Sequence, residues 1–276
     1  MNATALPLLE RTVVAHGERW IYSAGFNVGP SLAGRGRIDC ELEDLDHLAS
    51  AGATVAILSH QGSHRDRSAR MLDYVAGYLG ERLGWPVSYF PDYPSDRAGD
   101  RAVRLHAGEL MLFGNTRLYA GEERNDPAFA RELAHLGGRV AIGGFSKAHR
   151  AHASNVGLLR YRDGVAARSL TREIRQLSPW TGEEPARYSV AVVGGLKREK
   201  TTKGLTSLAA IYDLVIPGGA VLKVLLKLRG ARIGDSALGE CDDHILDAAR
   251  RALATPSEPR STCPRSSSCV IAAAAA

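Results

Sequence analysis

The chain alternates short apolar runs with stretches in which apolar residues return every three or four positions. Trp20 to Phe26 is the first such run and reads as a strand passing into a loop that ends at Gly29-Pro30. Leu42, Leu45, Leu48 and Ala49 then recur at helical spacing, and Ala53-Thr-Val-Ala-Ile-Leu-Ser59 is a second, β-rich run. Helical periodicity resumes from Met71 to Leu83, and Val87 to Phe90 and Leu110 to Phe113 make two further strands. Asp126-Pro127 has the chemistry of a helix start, because an Asp N-cap satisfies orphan N–H groups and a proline at the first helical position removes one. Phe129, Leu133 and Leu136 form the apolar face of that helix, and Val140-Ala-Ile142 is the next strand. After Gly157 the chain reads as a linker around Tyr161-Arg-Asp-Gly164, followed by a helix from Leu170 to Leu177.

Strands separated by helices imply βαβ units and a parallel sheet. The expectation is an α/β protein whose N-terminal domain, residues 1–177, is a three-layer parallel-sheet structure. Ser178-Pro-Trp-Thr-Gly-Glu-Glu-Pro185 is rich in chain breakers and marks a boundary. Ser189-Val-Ala-Val-Val-Gly-Gly-Leu-Lys197 then opens a second, partial α/β domain, residues 186–254. Tyr212 to Gly219 is its next strand and glycine turn, and Val221 to Leu228 an apolar helix. Residues 255–276 change abruptly to Pro, Ser, Arg and Ala, the composition of a disordered tail. That change raises the expectation of a frameshift or a premature end of the reading frame.

Composition narrows the picture modestly. At 276 residues the chain can bury a sizeable core, and 45% hydrophobic with 24% charged residues is ordinary for a globular protein. A net charge of +5 suits anionic metabolites and does not call for nucleic acid. Cys40, Cys241, Cys263 and Cys269 form no CxxC pair and no zinc spacing, which favours a reduced cytoplasmic compartment. Met1 to Pro7 does not read as a signal peptide, and no apolar run reaches membrane-spanning length. Neither a GxGxxG nor a GxxxxGK[ST] loop occurs, and the acidic residues show no metal-cluster spacing.

The candidate chemistry lies in the turn after Val140-Ala-Ile142. Gly143 to Gly157 packs Lys147, His149, Arg150 and His152 into six residues at the carboxyl end of a strand. Guanidinium groups grip phosphate and carboxylate bidentately, although a His/Arg cluster taken alone is more often a solvated basic loop. His60, in Ser59-His-Gln-Gly62, also stands at a strand's carboxyl end, where open α/β sheets place ligand groups.

The string Ala148-His-Arg-Ala-His-Ala-Ser154 with Val156-Gly157 resembles the substrate-binding motif of phosphoglycerate kinases. Asn115-x-Arg117 with Gly121-Glu-Glu123 and Asn125-Asp126 is similar to another segment of that family. The likeness runs from about residue 20 to about residue 250 and is strongest over 108–157. It implies two α/β domains and phosphoryl transfer between ATP, carried with Mg²⁺, and the carboxylate of 3-phosphoglycerate, in a cytoplasmic monomer. It assigns Asn27, His60, Arg117, His149 and Arg150 to a small anionic carboxylate or phosphate substrate. Arg37 and Lys197 fall at positions that neutralise the phosphoryl in flight, and Lys197, Lys200, Gly218 and Gly219 at the nucleotide phosphates. No metal ligands are assigned, because Mg²⁺ arrives on the nucleotide.

Three positions depart from the family pattern. Gly25 stands for an Asp that would accept a substrate hydroxyl, Ser63 for an Arg, and Thr201 for a Lys. His64 or Arg65 could stand in for the missing arginine, and Lys200 and Lys203 flank the missing lysine. The family's later glycine-rich nucleotide loops have no counterpart here. Two further readings therefore stay open: a kinase for another small carboxylate, and a non-catalytic anion-binding protein.

Overall fold

The computed structural model describes residues 7–180, 188–196, 200–235, 243–254 and 270–271. Contacts divide the chain into two compact units, Met1–Arg175 and Gln176–Ala276.

The first unit is built on β1 (Arg19–Ser23), α1 (Gly36–Asp39), α2 (Leu42–Ser50), β2 (Thr54–Leu58), α3 (Asp73–Leu83) and β3 (Val87–Phe90). It continues through α4 (Asp96–Val103), β4 (Leu110–Phe113), α5 (Ala120–Glu123), α6 (Pro127–Ala134), β5 (Arg139–Ile142), β6 (Asp163–Ala166) and α7 (Arg168–Leu177). The six strands form one sheet in the order β3-β4-β2-β1-β5-β6, and every pairing is parallel.

Parallel sheets are covered on both faces, so their strands read as continuous apolar runs whose alternate residues go to different layers. Here Trp20, Tyr22, Val55, Ile57, Leu110 and Leu112 pack with α2 and α3, through Leu45, Leu48, Val75 and Leu79. Ile21, Ala56, Leu58, Met111 and Phe113 pack instead with α4 and α6, through Ala98, Ala102, Phe129 and Leu133. The result is the expected three-layer α/β arrangement.

Local chemistry sets the helix ends. Asp126 accepts from Phe129 N at 2.9 Å with Pro127 at the first helical position, and Ser95 Oγ accepts from Ala98 N at 3.2 Å to start α4. The start of α7 is capped from a distance: Asp44, buried in α2, accepts from Arg168 N at 2.8 Å and Ser169 N at 3.0 Å.

Two elements differ from the reading of the sequence. The stretch around Gly164, read as a linker, contains β6, which pairs with β5 from Asp163 opposite Arg139 to Ala166 opposite Ile142. Its four residues include a glycine and an alanine, too little apolar bulk to signal a strand. α4, whose sequence is mostly polar and small, went unread for the same reason.

The second unit contains β7 (Val190–Val193), α8 (Thr206–Ile211), β8 (Leu214–Pro217), α9 (Gly219–Leu228), α10 (Asp243–Ala254) and β9 (Val270–Ile271). Its strands pair in parallel in the order β7-β8-β9. Val193, Leu205, Val215, Val221, Leu225, Ile245 and Ala249 make its core. β9 lies inside the compositionally biased segment 255–276, where no pairing was expected; the rest of that segment lies outside the described residues. No helix among the described residues is long and apolar enough to cross a membrane.

Candidate functional site

In the first unit β1 sits between β2 and β5, and the chain leaves β1 towards β2 but leaves β5 towards β6. The connections diverge, which opens a crevice beyond the carboxyl ends of β1 and β5, where open α/β sheets bind ligands. The loops after β1, β2, β4 and β5 line it. The two central loops meet backbone to backbone, since a Cβ on Gly25 would lie 2.7 Å from Gly144 Cα. Gly144 also has φ +65°, a conformation that favours glycine.

Arg117 is the centre of the site. Asn115 holds its loop, accepting from Arg117 N at 2.9 Å and donating to Gln61 O at 2.9 Å and Arg70 O at 2.8 Å. The Arg117 guanidinium donates to Gly62 O at 2.6 Å, while its Nε is buried with no partner. Gly62 in turn donates to Asn27 Oδ1 at 3.3 Å, which links the β1, β2 and β4 loops. Burial lowers the pKa of Arg117, and the positive charge of Arg150 lowers it further. A buried cation with an orphaned donor, next to a second cation, is a place for an anion.

The imidazoles contribute hydrogen bonding rather than charge. Burial, then Arg117, Lys147, His152 and Arg150, hold His60 well below the usual histidine range. His152 is pushed down to about 4 by burial, Arg117 and Arg150. Its 3.7 Å approach to Glu122 Oε1 has ion-pair geometry, but a histidine depressed this far is neutral at neutral pH, so the contact is not an ion pair there.

The turn after β5 is braced from beneath. Lys147, expected to join the basic cluster, is buried instead; its Nζ donates to Ser23 Oγ at 2.5 Å, and Ser23 Oγ donates to Ser154 O. Glu122 accepts from Ser154 N at 2.9 Å and from Ser154 Oγ at 2.6 Å. Glu41 accepts from Gly25 N at 2.9 Å through one oxygen, and its other oxygen is buried without a partner. Burial raises Glu41 to about 7 and lowers Lys147 to about 8. Reading the sequence missed Glu41, although a signal was present: it continues the Leu45 and Leu48 stripe of α2, where an acid is out of place.

Of the residues singled out from sequence, Asn27, His60, Arg117 and Arg150 come together. His149 is exposed on the same turn, and Arg37 is exposed on α1 with no side-chain partner among the described residues. Both proposed substitutes for an arginine at Ser63 already have partners. Arg65 pairs with Glu123 at 3.1 Å, and His64 Nδ1 lies 3.0 Å from Leu118 O. Ser63 Oγ donates to Glu123 Oε1 at 2.9 Å.

In the second unit the glycine turns after β7 and β8 approach each other. A Cβ on Gly194 would lie 3.4 Å from Gly218 O, and one on Gly219 would lie 3.5 Å from Gly195 N. Lys200 Cγ comes within 3.6 Å of the place a Gly195 Cβ would take. α9 starts at Gly219 with no side-chain cap, which leaves backbone N–H groups free at the positive end of a ten-residue helix. Lys197 lies outside the described residues, and Thr201 is buried.

Residues 17–275 match the family model described as phosphoglycerate kinase. The chain is 36% identical over 220 residues to the phosphoglycerate kinase of Azorhizobium caulinodans, covering 79% of this chain and 54% of that one. It is 35% identical over 250 residues to that of Maricaulis maris, covering 88% and 60%. Among solved structures, phosphoglycerate kinase from Coxiella burnetii aligns with a TM-score of 0.71 at 28% identity, covering 90% of this chain and 63% of that one. The enzyme from Pyrococcus horikoshii aligns with a TM-score of 0.78 at 23% identity, covering 89% and 64%, a likeness of fold. The chain thus spans less than two thirds of the length of these relatives.

Proposed function

The chain belongs to the phosphoglycerate kinase family, and on that premise we propose that it transfers a phosphoryl group between ATP and the carboxylate of 3-phosphoglycerate. The observation that carries this reading is Arg117, its guanidinium fixed on Gly62 O and its buried Nε unpartnered beside Arg150. In this reading Asn27, His60, Arg117, His149 and Arg150 hold the substrate's anionic groups. Arg37 and Lys197 neutralise the phosphoryl in flight. One P–O bond to the nucleotide breaks as one P–O bond to the carboxylate oxygen forms, and no protein base is needed. Positioning and charge stabilisation carry the catalysis.

Gly218, Gly219, Lys197 and Lys200 would hold the nucleotide phosphates. The close glycine turns and the uncapped α9 start fit that role, because the two turns approach within van der Waals contact of each other and leave backbone at the helix start. Mg-ATP, when bound, supplies the transferable phosphoryl group and the cation that offsets its charge. The compartment assigned to this activity is the cytoplasm, and the acting species a monomer.

Two observations favour a second reading, a kinase for a different small carboxylate. Gly25 presents only its backbone N–H, engaged by Glu41, and Ser63 is engaged by Glu123, so two positions that would contact substrate offer it nothing. Calorimetric titration with 3-phosphoglycerate and, separately, Mg-ATP distinguishes these cases. Binding of both is expected, with Arg117→Lys weakening phosphoglycerate binding by roughly tenfold or more, because a charged hydrogen bond contributes about 1.5–3 kcal/mol. Mg-ATP binding without phosphoglycerate binding moves the assignment to another carboxylate. Phosphoglycerate binding alone leaves an anion-binding protein, and binding of neither ends the kinase reading.

A further inference from the structure

A second cavity lies on the α4–α6 side of the sheet in the first unit, away from the loops described above. It has a volume of about 480 Å³, within the range of small-molecule sites. Leu136 and Val103 supply apolar wall, and Tyr93 lies against it with its hydroxyl buried and unpartnered.

The charges around the cavity are unusual in being unspent. Asp96 and Asp100, one turn apart on α4, form one wall, and Arg19 and Arg162 form another part of the lining. Among the described residues none of these four makes an ion pair with another; the one pair in the lining is Glu132 with His135, at 3.5 Å. Arg162 is nevertheless oriented, because its Nε donates to Gly137 O at 2.7 Å and a terminal nitrogen donates to Tyr161 O at 2.8 Å. Arg19 and Arg162 also line an adjoining cavity of about 440 Å³ with Arg160 and Asp163, three arginines against one carboxylate. Opposite charges lining one open, partly apolar cavity match a ligand that carries both.

We propose that this cavity binds a small dipolar molecule, with a phosphate or carboxylate on Arg19 and Arg162 and an ammonium group against Asp96 and Asp100. The inference is independent of the reading of the crevice at β1 and β5.

The probe is O-phosphoethanolamine, titrated into ¹⁵N-labelled full-length chain, with inorganic phosphate and ethylamine as its separate halves. Saturable shifts are expected at the Gly99 and Gly138 amides and at Arg162 Nε, with an affinity at least tenfold above that for either half. Arg19→Gln and Asp100→Asn should each reduce that affinity at least tenfold. Neither side chain has a partner among the described residues, so both variants should fold; ligand-free amide spectra that match the unsubstituted chain away from the cavity would confirm it. The proposal is overturned if phosphate alone binds as well as the dipolar probe, or if shifts are confined to the Gly143–Gly144 turn. It is equally overturned if binding survives both substitutions. A separate carboxylate probe, β-alanine, decides which anionic head is preferred.

Discussion

Lys147 and Glu41 show how far a side chain's role can depart from its place in the sequence. Both are buried beneath the site, and burial favours the neutral form of each, raising the carboxyl to about 7 and lowering the amine to about 8. Between the ordinary carboxylate range and about pH 7, folded Glu41 keeps a proton that the unfolded chain has lost, so stability falls as pH rises. Between about pH 8 and the ordinary lysine range, the unfolded chain keeps a proton that folded Lys147 has released, so stability rises with pH. The pair therefore places a stability minimum between about pH 7 and 8. His60 and His152, held low by burial, add stability as pH rises through the ordinary histidine range, so the dip is read as the difference in urea unfolding midpoints, pH 5 to 10, between the unsubstituted chain and the Glu41→Gln, Lys147→Met variant; a difference without a minimum in that window would refute the assignment. Arg117 was legible from its motif, but its orphaned Nε was not, because that depends on Gly62 reaching it from another loop.

Elements are held by a mixture of near and distant chemistry. α6 carries its own N-terminal signal in Asp126-Pro127, and the sequence alone located it. α7 does not: its cap is Asp44, more than 120 residues earlier, which also accepts from Tyr22 OH at 3.2 Å. Asp44→Ala should therefore act on two elements at once. It removes three accepted hydrogen bonds in a buried place and should cost about 2–4 kcal/mol, more than the roughly 1 kcal/mol of an ordinary cap loss. Asp126→Ala is the reference, and chemical denaturation of the two variants gives the comparison. Equal losses would mean that the distant cap adds nothing beyond a local one. β6 was missed because a four-residue edge strand containing Gly164 owes its existence to pairing with β5 rather than to its own apolar content.

At the scale of the whole chain, the two units are covered unequally. The first has a filled layer on each face of its sheet, whereas in the second Val190, Val192 and Ile216 are exposed, Val192 by 76%. Exposed β-branched residues on adjacent parallel strands make an adhesive patch. Val192→Thr, which keeps β propensity, should lower dye binding to exposed apolar surface and reduce self-association in sedimentation without lowering the unfolding midpoint. A lower midpoint would mean that Val192 is packed in solution. The sequence by itself determined the α/β class, most strands and the helices with local caps, because these follow from apolar period and neighbouring side chains. Its motifs also carried the family and singled out Asn27, His60, Arg117 and Arg150, which the fold brings close together. Only the tertiary structure decided that Lys147 faces inward, that Glu41 and Glu122 brace the loops, and that Arg19 and Asp100 share a cavity. The register of parallel strands brings residues distant in sequence to one end or one face of the sheet, and no local pattern encodes who meets there.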